Sequence, residues 1–399
     1  MELKSGYPFW LIKDGLPYDY PKLEDCLKCE VAIIGAGISG ALTAYYLTQA
    51  GFSCVLVDRR SVGLGSTCAS TSLLQYELDK PLSELSKTIG IEAAENSYRL
   101  CSYAVDKIGE ICKSIRHVGY TKRSSLFYAA FKKDVSLVEK EYEFRKNAGF
   151  KVKLLNENDI YNSYGFMAPA AILSQKGACV DAYKLTHALL QYSIKKGLRV
   201  YDRSGVSGIN YKTNGAELIL ENGSIIYTKK IVNATGYEVQ SFLSKKVYKL
   251  HSTYAVISEQ LNNTEDYWKD QALIWNTANP YLYIRSTADK RIIIGGRDEI
   301  FYNPVKRDQL LKLKTKQLTN DFKKLFPEIG FIPEFSWTGS FGVTKDSLPY
   351  IGVNEEPYTY YALGFGGNGI TFSLIAAEII TDLISGKKNR YSNLFSFDR

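Results

Sequence analysis

A strand pattern, a helix pattern and a second strand pattern follow one another near the start of the chain. Residues 30–34 are mostly apolar, Gly35-Ala36-Gly37-Ile38-Ser39-Gly40 follows them, and the spacing of apolar residues up to Leu47 predicts a helix. After a turn at Gly51, a second apolar strand covers residues 53–57. The pattern therefore predicts a strand–turn–helix–strand unit whose turn is rich in glycine.

The glycines of this turn, and the acid that ends the second strand, match the dinucleotide-binding fingerprint. Gly35 permits a tight turn, Gly37 lets the backbone approach a pyrophosphate, and Gly40 lets the helix pack closely on the strand. Asp58 lies 18 residues past Gly40 (58 − 40 = 18), about where a ribose-binding acid belongs. The fingerprint serves NAD and FAD alike, and an ordinary strand–turn–helix corner that binds nothing is the alternative.

The rest of the chain shows further helix and strand patterns. The predicted helices are 82–116, 133–148, 181–196, 306–325 and 370–384. The predicted strands are 123–131, 151–155, 199–202, 206–211, 217–220, 224–228, a separate buried strand at 230–237, 247–258, 281–287, 291–297 and 358–363. The alternating strands of the middle region are typical of an antiparallel sheet with one covered face.

The first and last thirds of the chain share the character of a nucleotide-binding domain, with a β-rich insert between them. This predicts a discontinuous cofactor domain formed by residues 1–80, 150–240 and 336–399. Residues 81–149 and 241–335 are then expected to form a substrate or cap domain.

Composition narrows the function classes. The 399 residues are 45% hydrophobic and 23% charged, with a net charge of +8 and no dense basic block, so nucleic acid is not an expected partner. An apolar export segment and a run of roughly 18 apolar residues are both missing, so we expect a cytoplasmic protein without a membrane span. Cys26 and Cys29 lack a second pair, and the three histidines lack metal-binding spacing, so no metal is expected.

Several ordered motifs together resemble the D-amino-acid oxidase (DAO) family of FAD-dependent oxidoreductases, which includes glycine oxidase and sarcosine oxidase. The resemblance extends from about residue 28 to residue 388. The motifs are the fingerprint with Asp58-Arg59, Gly65-Ser66-Thr67, Gly177-Ala178-Cys179-Val180-Asp181, Val232-Asn233-Ala234-Thr235-Gly236, Asp346-Ser347-Leu348-Pro349-Tyr350-Ile351-Gly352 and the Gly364–Gly369 turn. The resemblance implies an α/β fold, with a Rossmann-like FAD-binding domain of the glutathione-reductase type and a second, antiparallel-sheet substrate domain.

The resemblance also implies how FAD is held. The helix that starts at Ile370 points its N-terminus at the flavin pyrimidine ring, where the helix dipole favours the negative charge of the reduced flavin. Ser66 to Gln75 line the pyrophosphate and the isoalloxazine, Val206 meets the adenine, and Arg59 lies near the adenosine or is a plain surface arginine. From the fingerprint and the resemblance together, the expected cofactor-binding residues are Gly35, Gly37, Ile38, Ser39, Gly40, Asp58, Arg59, Gly65, Ser66, Thr67, Ser70, Leu74, Gln75, Val206, Ala234, Thr235, Gly236, Gly366, Gly367, Asn368, Gly369 and Ile370. A cysteine for covalent attachment is missing at the family's position, so noncovalent FAD is expected.

The substrate residues depart from the family's pattern. Phe341 stands where amino-acid oxidases of the family carry an arginine for the substrate carboxylate, and phenylalanine cannot form that clamp. Alternation places Tyr283 and Arg285 on one face of a strand, so Arg285 is expected to bind an acidic group or, equally, to pair at the sheet edge. Tyr254 and His251, on the preceding strand, are further candidates for the catalytic site.

These observations predict an enzyme that oxidises a C–N bond of an amine or amino-acid-like substrate, with hydride transfer to flavin N5. Dioxygen or another acceptor is expected to reoxidise the flavin. A flavin dehydrogenase acting on the C–O bond of a 2-hydroxy acid is the main alternative, and it needs a base such as His251. A non-catalytic dinucleotide-binding protein is the third possibility.

Overall fold

Two β-sheets, with helices packed on them, make up the part of the chain that the computed structural model describes, which is residues 1–243, 246–262 and 267–399. The predicted insert 241–335 therefore includes residues that lie outside the described part. The strands are, in chain order, β1 (Lys4–Gly6), β2 (Leu27–Ile34), β3 (Cys54–Val57), β4 (Leu73–Leu74), β5 (Thr121–Tyr128), β6 (Val152–Asn156), β7 (Ala170–Cys179), β8 (Arg199–Tyr201), β9 (Val206–Lys212), β10 (Gly215–Leu220), β11 (Ile225–Asn233), β12 (Tyr248–Ser258), β13 (Leu273–Asn276), β14 (Tyr283–Ser286), β15 (Ile292–Glu299), β16 (Pro333–Thr344), β17 (Tyr350–Val353) and β18 (Thr359–Leu363). The α-helices are α1 (Phe9–Asp14), α2 (Ile38–Gln49), α3 (Leu82–Ile89), α4 (Ile91–Ile115), α5 (Val135–Asn147), α6 (Glu157–Tyr164), α7 (Ala182–Ile194), α8 (Pro304–Leu325) and α9 (Gly369–Ile384).

The first sheet has the order β17-β18-β11-β2-β3-β8, in which the strands from β18 to β8 are parallel and β17 pairs antiparallel with β18, and β9 and β10 extend the sheet from β11. Strand β2 is buried on both faces, as parallel strands usually are. Val31 and Ile33 pack in a core with α2 and α9, while Ala32 and Ile34 pack in a second core with β10 and β11. This packing fixes the carboxyl end of β2, and with it the glycine turn that opens α2.

The second sheet is mostly antiparallel, in the order β1-β16-β12-β15-β14-β13-β5-β7-β4, with β6 beside β7. Tyr254 and Val256 of β12 pack in one core with Leu318 and Phe322 of α8, so α8 covers one face of this sheet. Thr253, which directly precedes Tyr254 in sequence, points to the opposite face, toward the first sheet.

These sheets confirm the predicted α/β class with a second, antiparallel sheet. One difference is that β11 is a single strand through 225–233, where two strands were predicted, because it pairs with β2 from Ile226 to Asn233 across the interrupting lysines. The second sheet also includes β1, β4, β6, β7 and most of β16, which fall within the ranges predicted for the cofactor domain, and the division into domains stays a prediction. Among the described residues, no helix combines the length and the apolar character that crossing a membrane requires.

Candidate active site

A cavity of about 380 Å³ lies between the two sheets and joins the glycine turn of α2 to the antiparallel sheet. Most of the residues predicted to bind the cofactor line it. These residues are Gly35, Gly37, Ile38, Ser39, Asp58, Arg59, Gly65, Ser66, Thr67, Ser70, Gln75, Val206, Ala234, Thr235, Gly236, Gly366, Gly367, Asn368, Gly369 and Ile370. Segments from the first, middle and last thirds of the chain therefore meet at one site.

The glycine turn has the close contacts that a dinucleotide site needs. Gly35 has a φ of +107°, and a Cβ there would lie 2.5 Å from the carbonyl oxygen of Ala234. A Cβ on Gly40 would lie 1.8 Å from the carbonyl oxygen of Gly35, so Gly40 is a packing residue and does not itself line the cavity. The carboxylate of Asp58 accepts hydrogen bonds from the backbone N–H of Ala36 (2.7 Å) and Arg60 (2.8 Å). The turn and the acid are thus held as one rigid unit.

The loop after Asp58 supplies hydroxyl groups next to this turn. Thr67 Oγ1 accepts a hydrogen bond from the N–H of Ile38 at 3.0 Å and so closes the loop over the start of α2. Ser66 Oγ is buried and has no hydrogen-bond partner in the described part of the chain. Because Ser66 also lines the cavity, this orphaned hydroxyl fits a site for phosphate oxygens.

The start of α9 forms the opposite wall of the cavity. Asn368 is the N-cap residue, but its side chain does not cap the helix and donates instead to the carbonyl oxygens of Gln75 (3.3 Å) and Glu77 (2.9 Å). In the described part of the chain, the first N–H groups of α9 therefore have no side-chain acceptor from the N-cap residue. A helix start of this kind attracts negative charge, which agrees with the role predicted for Ile370 and its neighbours.

The adenosine end predicted for the cavity contains paired charges. Arg60 donates to both carboxylate oxygens of Glu238, at 2.7 and 2.8 Å. Arg59 is half-exposed and lies 3.6 Å from Glu221. Burial raises the pKa of Asp58 above its ordinary value, although its two backbone hydrogen bonds act in the opposite direction.

The end formed by the antiparallel sheet contains acids and aromatic rings. The residues of this substrate end are Asp79, Thr253, Trp275, Tyr281, Tyr283, Asp298 and Phe341. Tyr283 was a predicted catalytic residue, and Phe341 was identified as the replacement for the family's arginine. Asp79 and Asp298 were not predicted, because neither belongs to a recognisable motif.

Asp79 is held firmly beside the last glycine turn. Its carboxylate accepts hydrogen bonds from the Tyr281 hydroxyl and from the N–H of Gly367, both at 2.8 Å. A Cβ on Gly367 would lie 2.4 Å from Asp79 Oδ1, so only glycine leaves room for this contact. Burial raises the pKa of Asp79, against the lowering effect of these hydrogen bonds.

Arg285 does not line the cavity, and the expectation that it binds a substrate acid needs correction. The side chain is 3% exposed, and its guanidinium donates to the carbonyl oxygens of Thr71 (3.1 Å), Ser72 (2.9 Å) and Val180 (3.2 Å). It shares the strand face of Tyr283, as alternation predicted, but lies farther along it. These contacts give Arg285 a structural role, although with backbone carbonyl groups in the interior and not with an acid at the sheet edge, which was the open alternative.

Three other predicted residues also lie outside the lining. Tyr254 is buried under α8, on the sheet face opposite the cavity, because Thr253 takes the inward position. His251 is half-buried, with its ring 5.6 Å from that of Phe341, and its pKa is lowered first by burial and then by Lys249. Leu74 points into the core, since in β4 it is the neighbouring Leu73 that lines the cavity.

Comparisons with known proteins agree with this geometry. The family model for FAD dependent oxidoreductase, DAO, matches residues 30–383. Gamma-glutamylputrescine oxidoreductase of Escherichia coli (strain K12) is 25% identical over 385 residues, covering 94% of this chain and 87% of the relative. The crystal structure of glycine oxidase from Geobacillus kaustophilus superimposes with a TM-score of 0.77 at 19% identity, covering 93% of this chain and 99% of that one.

A second solved structure has a cofactor in place. Dithionite-reduced L-alpha-glycerophosphate oxidase from Mycoplasma pneumoniae, with FAD bound, has a TM-score of 0.77 at 14% identity and covers 92% of this chain and 98% of that one. These likenesses confirm the predicted fold.

Proposed function

The chain belongs to the DAO family of FAD-dependent oxidoreductases, and we propose that it oxidises a C–N bond of an amine or amino-acid-like substrate. FAD is the cofactor of the family. The glycine turn of α2, Asp58, the Ser66–Thr67 loop and the start of α9 are the parts of the cavity that would hold it. We further propose that the FAD is bound noncovalently.

The chemistry of the proposed reaction divides between cofactor and protein. When bound, FAD supplies a two-electron acceptor for a hydride equivalent and passes the electrons to dioxygen or another acceptor. Loss of a hydride equivalent from the α-carbon, and of a proton from nitrogen to solvent, turns the amine into an imine. Water hydrolyses the imine to a carbonyl compound and releases ammonia, or an amine where the nitrogen is substituted. Such a reaction depends on orientation and on a dry site more than on a dedicated acid–base pair.

The protein's own part is to orient the amine and to exclude water. The side chains of Trp275, Tyr281 and Tyr283 form an aromatic wall, with ring centroids of neighbouring pairs 6.1 and 5.9 Å apart. Asp79 and its two hydrogen bonds fix Tyr281 against the start of α9. This wall would keep the reacting carbon in a low-dielectric site next to the cofactor.

The observation that carries the proposal is the charge of the substrate end. In the described part of the chain its lining residues include carboxylates but no lysine, arginine or histidine, and His251 acts on Asp79 from outside the lining. A 2-hydroxy acid needs a cation for its carboxylate and a base for its hydroxyl group. The residue expected to be that base, His251, is not in the lining. The site therefore favours oxidation of amines over oxidation of 2-hydroxy acids.

Anaerobic bleaching of the flavin tests this proposal. The holoenzyme is mixed with primary amines, α-amino acids and 2-hydroxy acids, and the loss of visible flavin absorbance is followed. We expect amines to bleach the flavin fastest. Faster bleaching by 2-hydroxy acids would support the alternative, and bleaching by no compound would favour a non-catalytic dinucleotide-binding protein.

The noncovalent attachment has its own test. We expect the purified protein to be yellow and acid precipitation to release all of the flavin into the supernatant. Flavin that stays with the precipitated polypeptide would contradict noncovalent binding. Thin-layer chromatography of the supernatant then identifies the released flavin as FAD.

A further inference from the structure

The substrate end of the cavity has an unusual balance of charge for a site that could take an amino acid. Two carboxylates, Asp79 and Asp298, line it, and the charge on Asp79 is one of the causes that raise the pKa of Asp298. The two carboxylates therefore act on the same part of the cavity. The arginines of the lining, Arg59 and Arg60, belong to the opposite end and are paired with Glu221 and Glu238.

A β-bulge directs Asp298 into the cavity. Ser252 of β12 pairs with Glu299 and Tyr254 pairs with Gly296, so Thr253 alone stands opposite both Arg297 and Asp298. Arg297 takes the left-handed conformation, with a φ of +57°, and its side chain binds Asp321 of α8 at 2.6 and 2.7 Å. Bulges commonly re-aim side chains beside active sites. Here the bulge sends Arg297 to α8 and Asp298 to the cavity.

The Asp298 carboxylate is left without a full set of partners. Its Oδ1 atom is buried and has no hydrogen-bond partner among residues 1–243, 246–262 and 267–399. The charge of Lys314 acts on Asp298, but its ammonium group donates hydrogen bonds to the carbonyl oxygen of Arg297 (2.8 Å) and to Glu299 (2.6 Å) instead. A buried carboxylate oxygen without a partner is costly unless a ligand supplies one.

Aromatic rings complete the surroundings of these acids. Gly295 lies opposite Tyr283 in the sheet, and a Cβ there would come within 2.3 Å of the Tyr283 ring, so the glycine lets the ring lie flat on the strand. Tyr281 and Trp275 continue the wall next to it. Carboxylates beside aromatic faces are the surroundings that bind alkylammonium groups, whereas they repel a carboxylate.

From this arrangement we propose that the substrate end is a cation site, in which Asp298, Asp79 and the rings of Tyr281, Tyr283 and Trp275 hold a second, positively charged nitrogen of the substrate. The proposal rests on the proposed function, and it names the substrate class as aliphatic diamines or polyamines. The C–N bond at one nitrogen, which is uncharged, is oxidised, and the other nitrogen, as an ammonium group, is bound by the acids. Such a substrate has no carboxylate for an arginine clamp to bind, which accounts for Phe341.

Binding of a cation that cannot be oxidised tests the site separately from the reaction. Butyltrimethylammonium has no nitrogen lone pair and cannot form an imine, so calorimetric titration of the holoenzyme with it measures recognition alone. We expect it to bind, and pentanoate not to bind. Asp298→Asn should weaken binding of the cation by about tenfold or more, as for loss of a charged partner in a desolvated site.

Two further variants keep the result interpretable. Asp298→Glu should restore part of the affinity, and Asp106→Asn, which removes an exposed acid on α4, should leave it unchanged. FAD content and the visible spectrum establish that each variant is folded and loaded. Equal affinity of the wild type and Asp298→Asn for the cation, or tighter binding of pentanoate, would overturn the cation site.

Substrate comparison completes the experiment. We expect 1,4-diaminobutane to bleach the flavin about tenfold faster or more than butylamine, with 4-aminobutanoate slowest. Cation binding without bleaching by any amine would contradict the proposed function and leave the cation site standing. Bleaching by butylamine and 1,4-diaminobutane at the same rate would contradict the assignment of diamines as substrates.

Discussion

Asp58, which directly follows β3, has two roles, and a single substitution tests them. Its carboxylate holds the glycine turn through the N–H groups of Ala36 and Arg60 and also faces the cavity. We expect Asp58→Ala to weaken FAD retention by about tenfold or more, because a ribose acceptor and the support of the turn are lost together. Fluorescence titration of the apoprotein with FAD measures this. Asp25→Ala, at an exposed acid, is the control, and equal FAD affinity of the two variants would remove Asp58 from the site.

Phe341 offers a gain-of-binding prediction. It lines the substrate end, and the sequence resemblance implies an arginine at this position in amino-acid oxidases of the family. We expect Phe341→Arg to bind acetate about tenfold more tightly than the wild type, because a planar guanidinium engages both carboxylate oxygens. Perturbation of the flavin spectrum by acetate gives the dissociation constants. Phe341→Lys should gain less, since an ammonium group is a point charge, and no gain in either variant would show that position 341 does not reach a bound carboxylate.

At the scale of elements, Arg285 joins three segments that the chain brings together from far apart. Its guanidinium on β14 donates to carbonyl groups of the loop at 71–72 and of Val180, just after β7. We expect Arg285→Ala to lower the free energy of unfolding by roughly 3 kcal/mol, because buried carbonyl oxygens lose their donors. Chemical denaturation checks the value, with Arg390→Ala at an exposed position as the control. An unchanged stability together with a raised KM for acidic substrates would instead support the first expectation, that Arg285 binds an acidic group of the substrate.

The elements also show where reasoning from sequence stops. Helix α9 and its glycine turn were predictable, because glycines and a long apolar run are local signals. The inward direction of Asp298 was not, because strict alternation along β15 places Arg297 on the cavity face and Asp298 on the α8 face. The bulge opposite Thr253 reverses this, and it depends on pairing with a strand about forty residues away. The prediction that Leu74 lines the cavity was wrong for a related reason, since a two-residue strand gives no alternation that shows which side chain faces the cavity.

At the scale of the whole molecule, the sequence predicted the joining of distant segments better than the contents of the space they enclose. The early and late glycine turns meet at one cavity because each stands at the end of a strand in the same parallel sheet, β2 and β18. Such positions follow from topology. The substrate end is different, because Asp79 and Asp298 gain their meaning only when the second sheet is folded against the first. Residues of this kind carry no motif, and only tertiary contacts reveal them.

Burial of Asp298 has a consequence for the stability of the whole molecule. Burial is the main cause that raises the pKa of Asp298 from 3.8 to about 7. The charges of Asp79 and Glu299 also raise this pKa, whereas the hydrogen bond from Thr253 and the charge of Lys314 lower it. The folded chain therefore keeps a proton that the unfolded chain gives up, and stability falls as the pH rises from about 4 to about 7. Asp298→Asn abolishes this titration.

We therefore compare the Tm of Asp298→Asn with that of the wild type at about pH 5 and at about pH 8. We expect the difference, variant minus wild type, to be roughly 3 °C larger at about pH 8. Calorimetry at the two pH values measures it. Asp346→Asn is a control of opposite sign. Burial is the largest single cause acting on the pKa of Asp346 and raises it, but the hydrogen bonds and charge of Arg399 and the backbone hydrogen bonds together lower it further. The stabilisation from Asp346 is already complete above its unfolded pKa, so its loss should lower the Tm equally at both values. If the two variants show the same pH dependence, the Asp298 carboxylate does not titrate in the cavity as described, and its unpaired oxygen is not available to a substrate cation.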